Sequence, residues 1–183
     1  MAQRMLVLRV PATELYDSSK NLFTNYKECT LTLEHSLMSI SKWESKWHKS
    51  YFNTKEKTID EIRDYIRCMT ISQIPDELVF DRLSAENIKQ INDYIQDPMT
   101  ATTFRESQNK KGKEILTAEI IYYLMIAYGI PFECQKWHIN KLFTLIKVCE
   151  IKNTPPKKMS KNDILKQNRE LNAYRRSALN SKG

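Results

Sequence analysis

Glycine is nearly missing from this chain of 183 residues, which holds only Gly112, Gly129 and Gly183. So few glycines cannot supply the turns and bulges of an all-β fold, and helices are expected to dominate. The same scarcity excludes a P-loop or a dinucleotide-binding turn, both of which need glycine for close backbone approach to phosphate. Long apolar runs are missing too. The best candidate, residues 120–130, is bracketed by Glu119 and Glu133 and falls short of the ~20 apolar residues that a bilayer requires. Residues 1–10 carry no apolar stretch followed by small residues, so no signal peptide is expected. The four cysteines, Cys29, Cys68, Cys134 and Cys149, lack paired spacing. They read as reduced thiols in a cytosolic protein, not as a disulfide framework.

What the chain does have is ordinary globular chemistry, with 41% apolar and 28% charged residues. Its net charge of +7 is unevenly placed. From Asn153 onward eight Lys and Arg stand against two Asp and Glu, a net +6, while the preceding 152 residues hold 21 against 20. A nearly neutral body therefore carries a basic tail, suited to an acidic protein surface or to phosphate.

Alternation over residues 5–10 puts Leu6, Leu8 and Val10 on one side, and Leu31 and Leu33 repeat the pattern over residues 29–33. These predict two strands forming an antiparallel pair with a long connection. From Ser36 the period changes: Leu37, Ile40, Trp43 and Trp47 mark a helix, its tryptophans read as core. Thr58-Ile-Asp-Glu61 is a capping box, opening a helix expected to bury Ile59, Ile62, Ile66 and Met69. Pro75-Asp76 begins a short helical turn through Leu83. Ser84 caps another helix with the stripe Ile88, Ile91 and Ile95, which Asp97-Pro98 ends. Residues 100–113, polar with Asn-Lys-Lys-Gly-Lys at the tip, read as a flexible surface loop.

Residues 115–151 read as a buried helical hairpin broken at Gly129-Ile130-Pro131. Its first half is apolar on nearly every side. Its second half, as a single helix, leaves only the strip Glu133, Lys136, Asn140 and Lys147 polar. Asn153-Thr-Pro-Pro-Lys-Lys is an extended linker. Beyond it, a helix to about Asn180 has Ile164, Leu171 and Ala178 seven apart, and Leu165, Asn172 and Leu179 likewise. Such a thin seam suits docking better than independent stability. The candidate partner-binding residues are therefore Lys157, Lys158, Lys161, Ile164, Leu171, Arg175 and Arg176.

Catalytic chemistry finds little support. Cys134 and His138 share a helix face on this reading, but zinc sites usually draw four ligands from two clusters, and no second cluster exists. A buried Cys134 is a poor nucleophile. There is no nucleophile elbow. The expectation is a non-enzyme with no cofactor and no metal. The tail has one aromatic, Tyr174, and no reader module, which makes nucleic acid the third choice of partner.

Residues 33–47 (LEHSLMSISKWESKW), 117–123 (TAEIIYY), 130–142 (IPFECQKWHINKL) and 151–161 (IKNTPPKKMSK) together resemble a family of tailed-bacteriophage proteins, the tail assembly chaperones and related tail-region proteins. The resemblance implies a small α-rich protein of the infected cell's cytoplasm. Its implied partner is the long helical tape measure protein, kept soluble until tail tube proteins polymerise around it. The alternative is a permanent virion component of the tail, baseplate or neck, fastened to neighbouring subunits by its arm; self-association is also open. The expected fold is mainly α (α+β). Residues 1–34 form an N-terminal antiparallel β pair, 35–152 a compact helical domain with the hairpin at its centre, and 153–183 a linker and basic helical arm.

Overall fold

The computed structural model describes residues 5–17, 21–104, 115–154 and 161–179. The chain divides into two compact units, residues 1–150 and 151–183. The protein is mainly α with a small amount of β.

The first unit opens with β1 (Leu6–Val10), β2 (Thr13–Asp17), β3 (Leu22–Tyr26) and β4 (Cys29–Leu33). β1 pairs antiparallel with β4 in the register Leu6↔Leu33 to Val10↔Cys29, which turns Leu8, Val10, Leu31 and Leu33 into the core. The connection between them forms its own antiparallel hairpin of β2 and β3. Alternation alone predicts only a long connection here, not a hairpin. β3 is exposed up to half-buried Tyr26 and β2 half-buries only Thr13 and Leu15, too little apolar alternation to read, so the signal was only Tyr16 and Phe23, whose ring centroids lie 4.9 Å apart.

Six helices follow among the described residues: α1 (Leu37–Trp47), α2 (Ile59–Met69), α3 (Ala85–Gln96), α4 (Ala118–Ala127), α5 (Ile139–Asn153) and α6 (Lys161–Leu179). Two 3₁₀ turns, Glu77–Arg82 and Phe132–Lys136, precede α3 and α5. The caps are those that the residues predict. The N–H of Glu61 bonds Thr58 Oγ1 and the Glu61 carboxylate returns to the N–H of Thr58, at 3.2 and 2.8 Å. Ser84 and Asn87 repeat the arrangement on α3. β4 continues its ladder onto the end of α2 through Ile71 N–H to Thr32 O, 2.9 Å, and Glu34 N–H to Met69 O, 2.8 Å. Asn87 ties α3 to the sheet by donating to the Arg9 carbonyl at 3.0 Å.

Trp43 is fully buried at the centre, and its indole N–H donates to the Glu61 carbonyl at 2.9 Å. Trp47 donates to Asp64 at 2.9 Å, and Lys46 pairs with the same carboxylate. These bonds rotate α2 away from its expected setting. Glu61, Asp64, Tyr65, Ile66 and Met69 face inward, while Ile59 and Ile62 are 74% and 46% exposed. Burial of Ile66 and Met69 stands; that of Ile59 and Ile62 does not. Facing inward, the Glu61 carboxylate meets Lys49, just after α1, and Asp64 meets Lys46 and Trp47 on α1, and a buried carboxylate without such partners costs more than an isoleucine left in water.

The hairpin supplies Ala118, Ile121, Met125, Ile130, Cys134, Ile139, Leu142 and Ile146 to the core. Its second half is not the single helix expected. The 3₁₀ turn ends at Trp137, which is extended, and His138 bridges to Ser36 before α5 begins. Backbone bonding explains the interruption: the N–H of Ile139 donates to the His35 carbonyl at 2.9 Å, which an uninterrupted helix would forbid. Of the expected loop, residues 105–113 lie outside the described residues.

Candidate protein-docking surface

α4 is held from below by one carboxylate. Glu44, buried on α1, accepts from the N–H of Tyr51 through Oε1 and from the N–H of Ala118 through Oε2, both at 2.7 Å. Ala118 is the first residue of α4, where free N–H groups and the helix dipole favour negative charge. Asn53 accepts from Leu116 N–H at 2.8 Å, and Ser50 donates to the Leu116 carbonyl at 2.5 Å. At the other end Gly129 takes φ +63°, and the N–H of Ile130 reaches back to the Met125 carbonyl at 2.8 Å. That left-handed stop is the usual role of glycine after a helix, with the following apolar residue, Ile130, turned into the core.

Fixed at both ends, α4 buries Ala118, Ile121 and Met125 and turns its other side out. That side stays apolar. Tyr123 is 66% and Ile126 63% exposed, with Ile120 half-buried beside them, Ile115 exposed before the helix and Phe132 after it. A groove of ≈390 Å³ runs along it, lined by Leu116, Glu119, Ile120, Tyr123 and Leu124. Glu119 is its single charged residue. Tyr122 flanks the face, donating to Gln135 at 3.0 Å; burial, then the nearby Glu119, raises its phenol pKa. The all-round apolarity read as a sign of burial is therefore divided between core and surface. Contiguous exposed apolar area of this kind marks a binding surface far more often than an inert one.

The chemistry-bearing residues singled out in the sequence fall elsewhere. Cys134 lies in the 3₁₀ turn and His138 just before α5, so they do not share a helix face. Burial raises the Cys134 thiol pKa, away from thiolate reactivity. His138 Nε2 lies 2.9 Å from the Tyr94 carbonyl, an acceptor only, so this nitrogen carries the proton and Nδ1 accepts from Asn140 N–H at 3.3 Å. His35 packs edge-on to the His138 ring, centroids 5.0 Å apart, with Nδ1 2.5 Å from Tyr65 Oη. Burial, then the His138 charge, pushes the His35 pKa down to about 3. Among the described residues no three His, Cys, Asp or Glu side chains converge as a ligand set.

Of the tail candidates, Lys157 and Lys158 lie outside the described residues, and Lys161 is the first residue of α6. Ile164, Leu171, Arg175 and Arg176 are exposed on that helix. Helical spacing puts Ile164, Leu171 and Arg175 along one side and Arg176 about 100° round from them. The α4 surface was missed as a site; its signal was a ten-residue helix apolar on nearly every side, more than a single buried face needs. Comparison with protein-family models, curated proteins and solved structures finds no match to this chain.

Proposed function

We propose that the protein is a non-catalytic docking protein whose α4 face receives the apolar side of a partner's amphipathic helix. The observation that carries this reading is the exposed row Tyr123, Ile126 and Phe132 beside an open apolar groove on a helix anchored at both ends. A rigid helix with an apolar groove binds another helix by packing, without catalytic groups. The resemblance to bacteriophage tail assembly chaperones supplies the partner class: a long helical tape measure protein, held in the host cytoplasm before tail tube proteins enclose it.

The test is co-expression with the tape measure protein of the same phage, followed by co-purification and titration. Tyr123→Glu and Ile126→Glu are expected to weaken the complex by tenfold or more while leaving the far-UV spectrum unchanged. An undiminished complex in both variants rejects the α4 face as the docking site. The exposed seam of α6 favours the second reading, a permanent virion component anchored through its arm. Stoichiometric recovery from purified particles supports that second reading and excludes a transient chaperone.

A further inference from the structure

We propose that α6 of one copy docks as a third helix in the groove between α2 and α3 of a second copy, so that the protein associates with itself through its arm. This surface is separate from the α4 face, and its test is independent of that reading. The groove has a volume of ≈180 Å³ and is walled by isoleucines: Ile62 and Ile66 from α2, Ile88, Ile91 and Ile95 from α3. Ile59, three positions before Ile62 on α2, is exposed beyond this lining. Lys57 also lines it, but its ammonium is already engaged, donating to the carbonyls of Tyr51 and Thr54 at 2.8 and 2.9 Å and lying over the Tyr51 ring.

Charge selects the occupant. Residues 56–97, which build this groove, hold ten Asp and Glu against five Lys and Arg, a net −5. Three of those five cations are spent locally: Arg63 pairs with Asp60 and Asp81, Arg67 with Asp64, and Arg82 with Asp76. The rest of the first 152 residues holds sixteen cations against ten anions, a net +6, the same sign as the arm. A basic helix is therefore drawn to the α2–α3 side, whereas residues 115–152, which build α4 and α5, hold four cations against three anions and offer it no such attraction. Residues 153–183 carry +6 and α6 itself +3.

Spacing agrees with charge. Ile164 and Leu171 are seven residues apart, as are Ile59 and Ile66 on α2 and Ile88 and Ile95 on α3. Each pair spans about 10.5 Å of helix, so the seam of α6 meets the two rows in step. Ile164 is 44% and Leu171 47% exposed on the arm; in the groove Ile62 is exposed and Ile88 and Ile95 are half-buried, over a floor of buried Ile66 and Ile91. A second copy offers the missing half to each. Reciprocal exchange closes a dimer, and successive exchange builds a chain of copies.

Sedimentation velocity of the full-length protein over a concentration series tests this at low and high salt. The expected result is self-association that weakens by tenfold or more as salt screens the opposed charges. Leu171→Glu and Ile62→Glu should each be monomeric. Both positions are half-exposed, and circular dichroism should find both variants folded. Mixed together they should recover one interface, because Ile62→Glu retains an intact arm and Leu171→Glu an intact groove. The double variant Arg175→Glu, Arg176→Glu should lose association without touching any apolar residue. A monomer at every concentration in low salt overturns the proposal, as does a monomer whose arm cross-links only to its own groove. Association unchanged in Leu171→Glu and Ile62→Glu, or a mixture that fails to recover it, overturns it equally.

Discussion

Glu44 and Ala118 lie 74 positions apart, yet the backbone N–H of Ala118 donates to Glu44 Oε2 at 2.7 Å. One buried carboxylate thereby seats the start of α4 on α1 and, through Tyr51 N–H, holds the loop after α1 as well. Glu44→Ala leaves two buried N–H groups without an acceptor and is expected to cost about 2–4 kcal/mol of stability. Glu44→Gln keeps one acceptor oxygen and should cost less. Urea denaturation checks both, and equal losses in the two variants would show that side-chain packing, not the carboxylate, matters.

Acid should loosen the junction of α1, α3 and α5 before it protonates the carboxylates. Burial lowers the pKa of His35 to about 3 and lowers that of His138, so both rings take up protons less readily in the folded protein than in the unfolded chain, near 6.5. The unfolded state then binds more protons below pH 6.5, and stability must fall as pH falls. For His35 the loss runs from about 6.5 down to about 3, tenfold in the folding constant per pH unit. Glu61 adds a second loss only at lower pH. The hydrogen bond from Lys49, with the Thr58 N–H, holds its carboxyl below the usual range. Denaturation midpoints at pH 7 and pH 5 check this, and His138→Gln, which keeps a donor for the Tyr94 carbonyl, should flatten the dependence.

The rotation of α2 separates two isoleucines that periodicity treats alike. Ile66→Ala removes a buried side chain and should cost about 2–4 kcal/mol, whereas Ile59→Ala should stay within about 0.5. Equal costs would mean that α2 sits in the orientation expected from its apolar spacing.

Gly129→Ala isolates backbone strain, because a methyl placed there meets nothing within 4 Å while φ is +63°. The expected loss is about 1 kcal/mol, read as a drop of a few degrees in Tm. A loss beyond about 3 kcal/mol would require a contact that the added methyl disturbs.

Features written in a few adjacent residues were legible. Thr58 with Glu61, and Ser84, mark helix starts because a cap is a bond between neighbours, and Asp97-Pro98 marks an end because proline excludes helix from the residue before it. β1 and β4 were legible because period-two alternation reports one buried face. β2 and β3 were not, since β3 faces outward almost throughout and β2 half-buries only Thr13 and Leu15, which leaves no apolar alternation to read. The helix through Trp137 and His138 failed for a different reason: its apolar pattern is helical, but Ser36 and His35 take the backbone bonds there.

By itself, then, the sequence determined the mainly helical class, the pairing of β1 with β4, the capped starts of α2 and α3 and the concentration of positive charge in the arm. Only the tertiary structure decided which side of each helix faces in. Hydrogen bonds from Trp43 and Trp47 turned Ile59 and Ile62 of α2 toward water. α4 buries Ala118, Ile121 and Met125 and packs Tyr122 and Leu124 against the core, which left Tyr123 and Ile126 outside. The reason is physical: caps and periods are local, whereas the buried side of an apolar helix is set by partners distant in sequence. Both candidate docking surfaces come from that second kind of information.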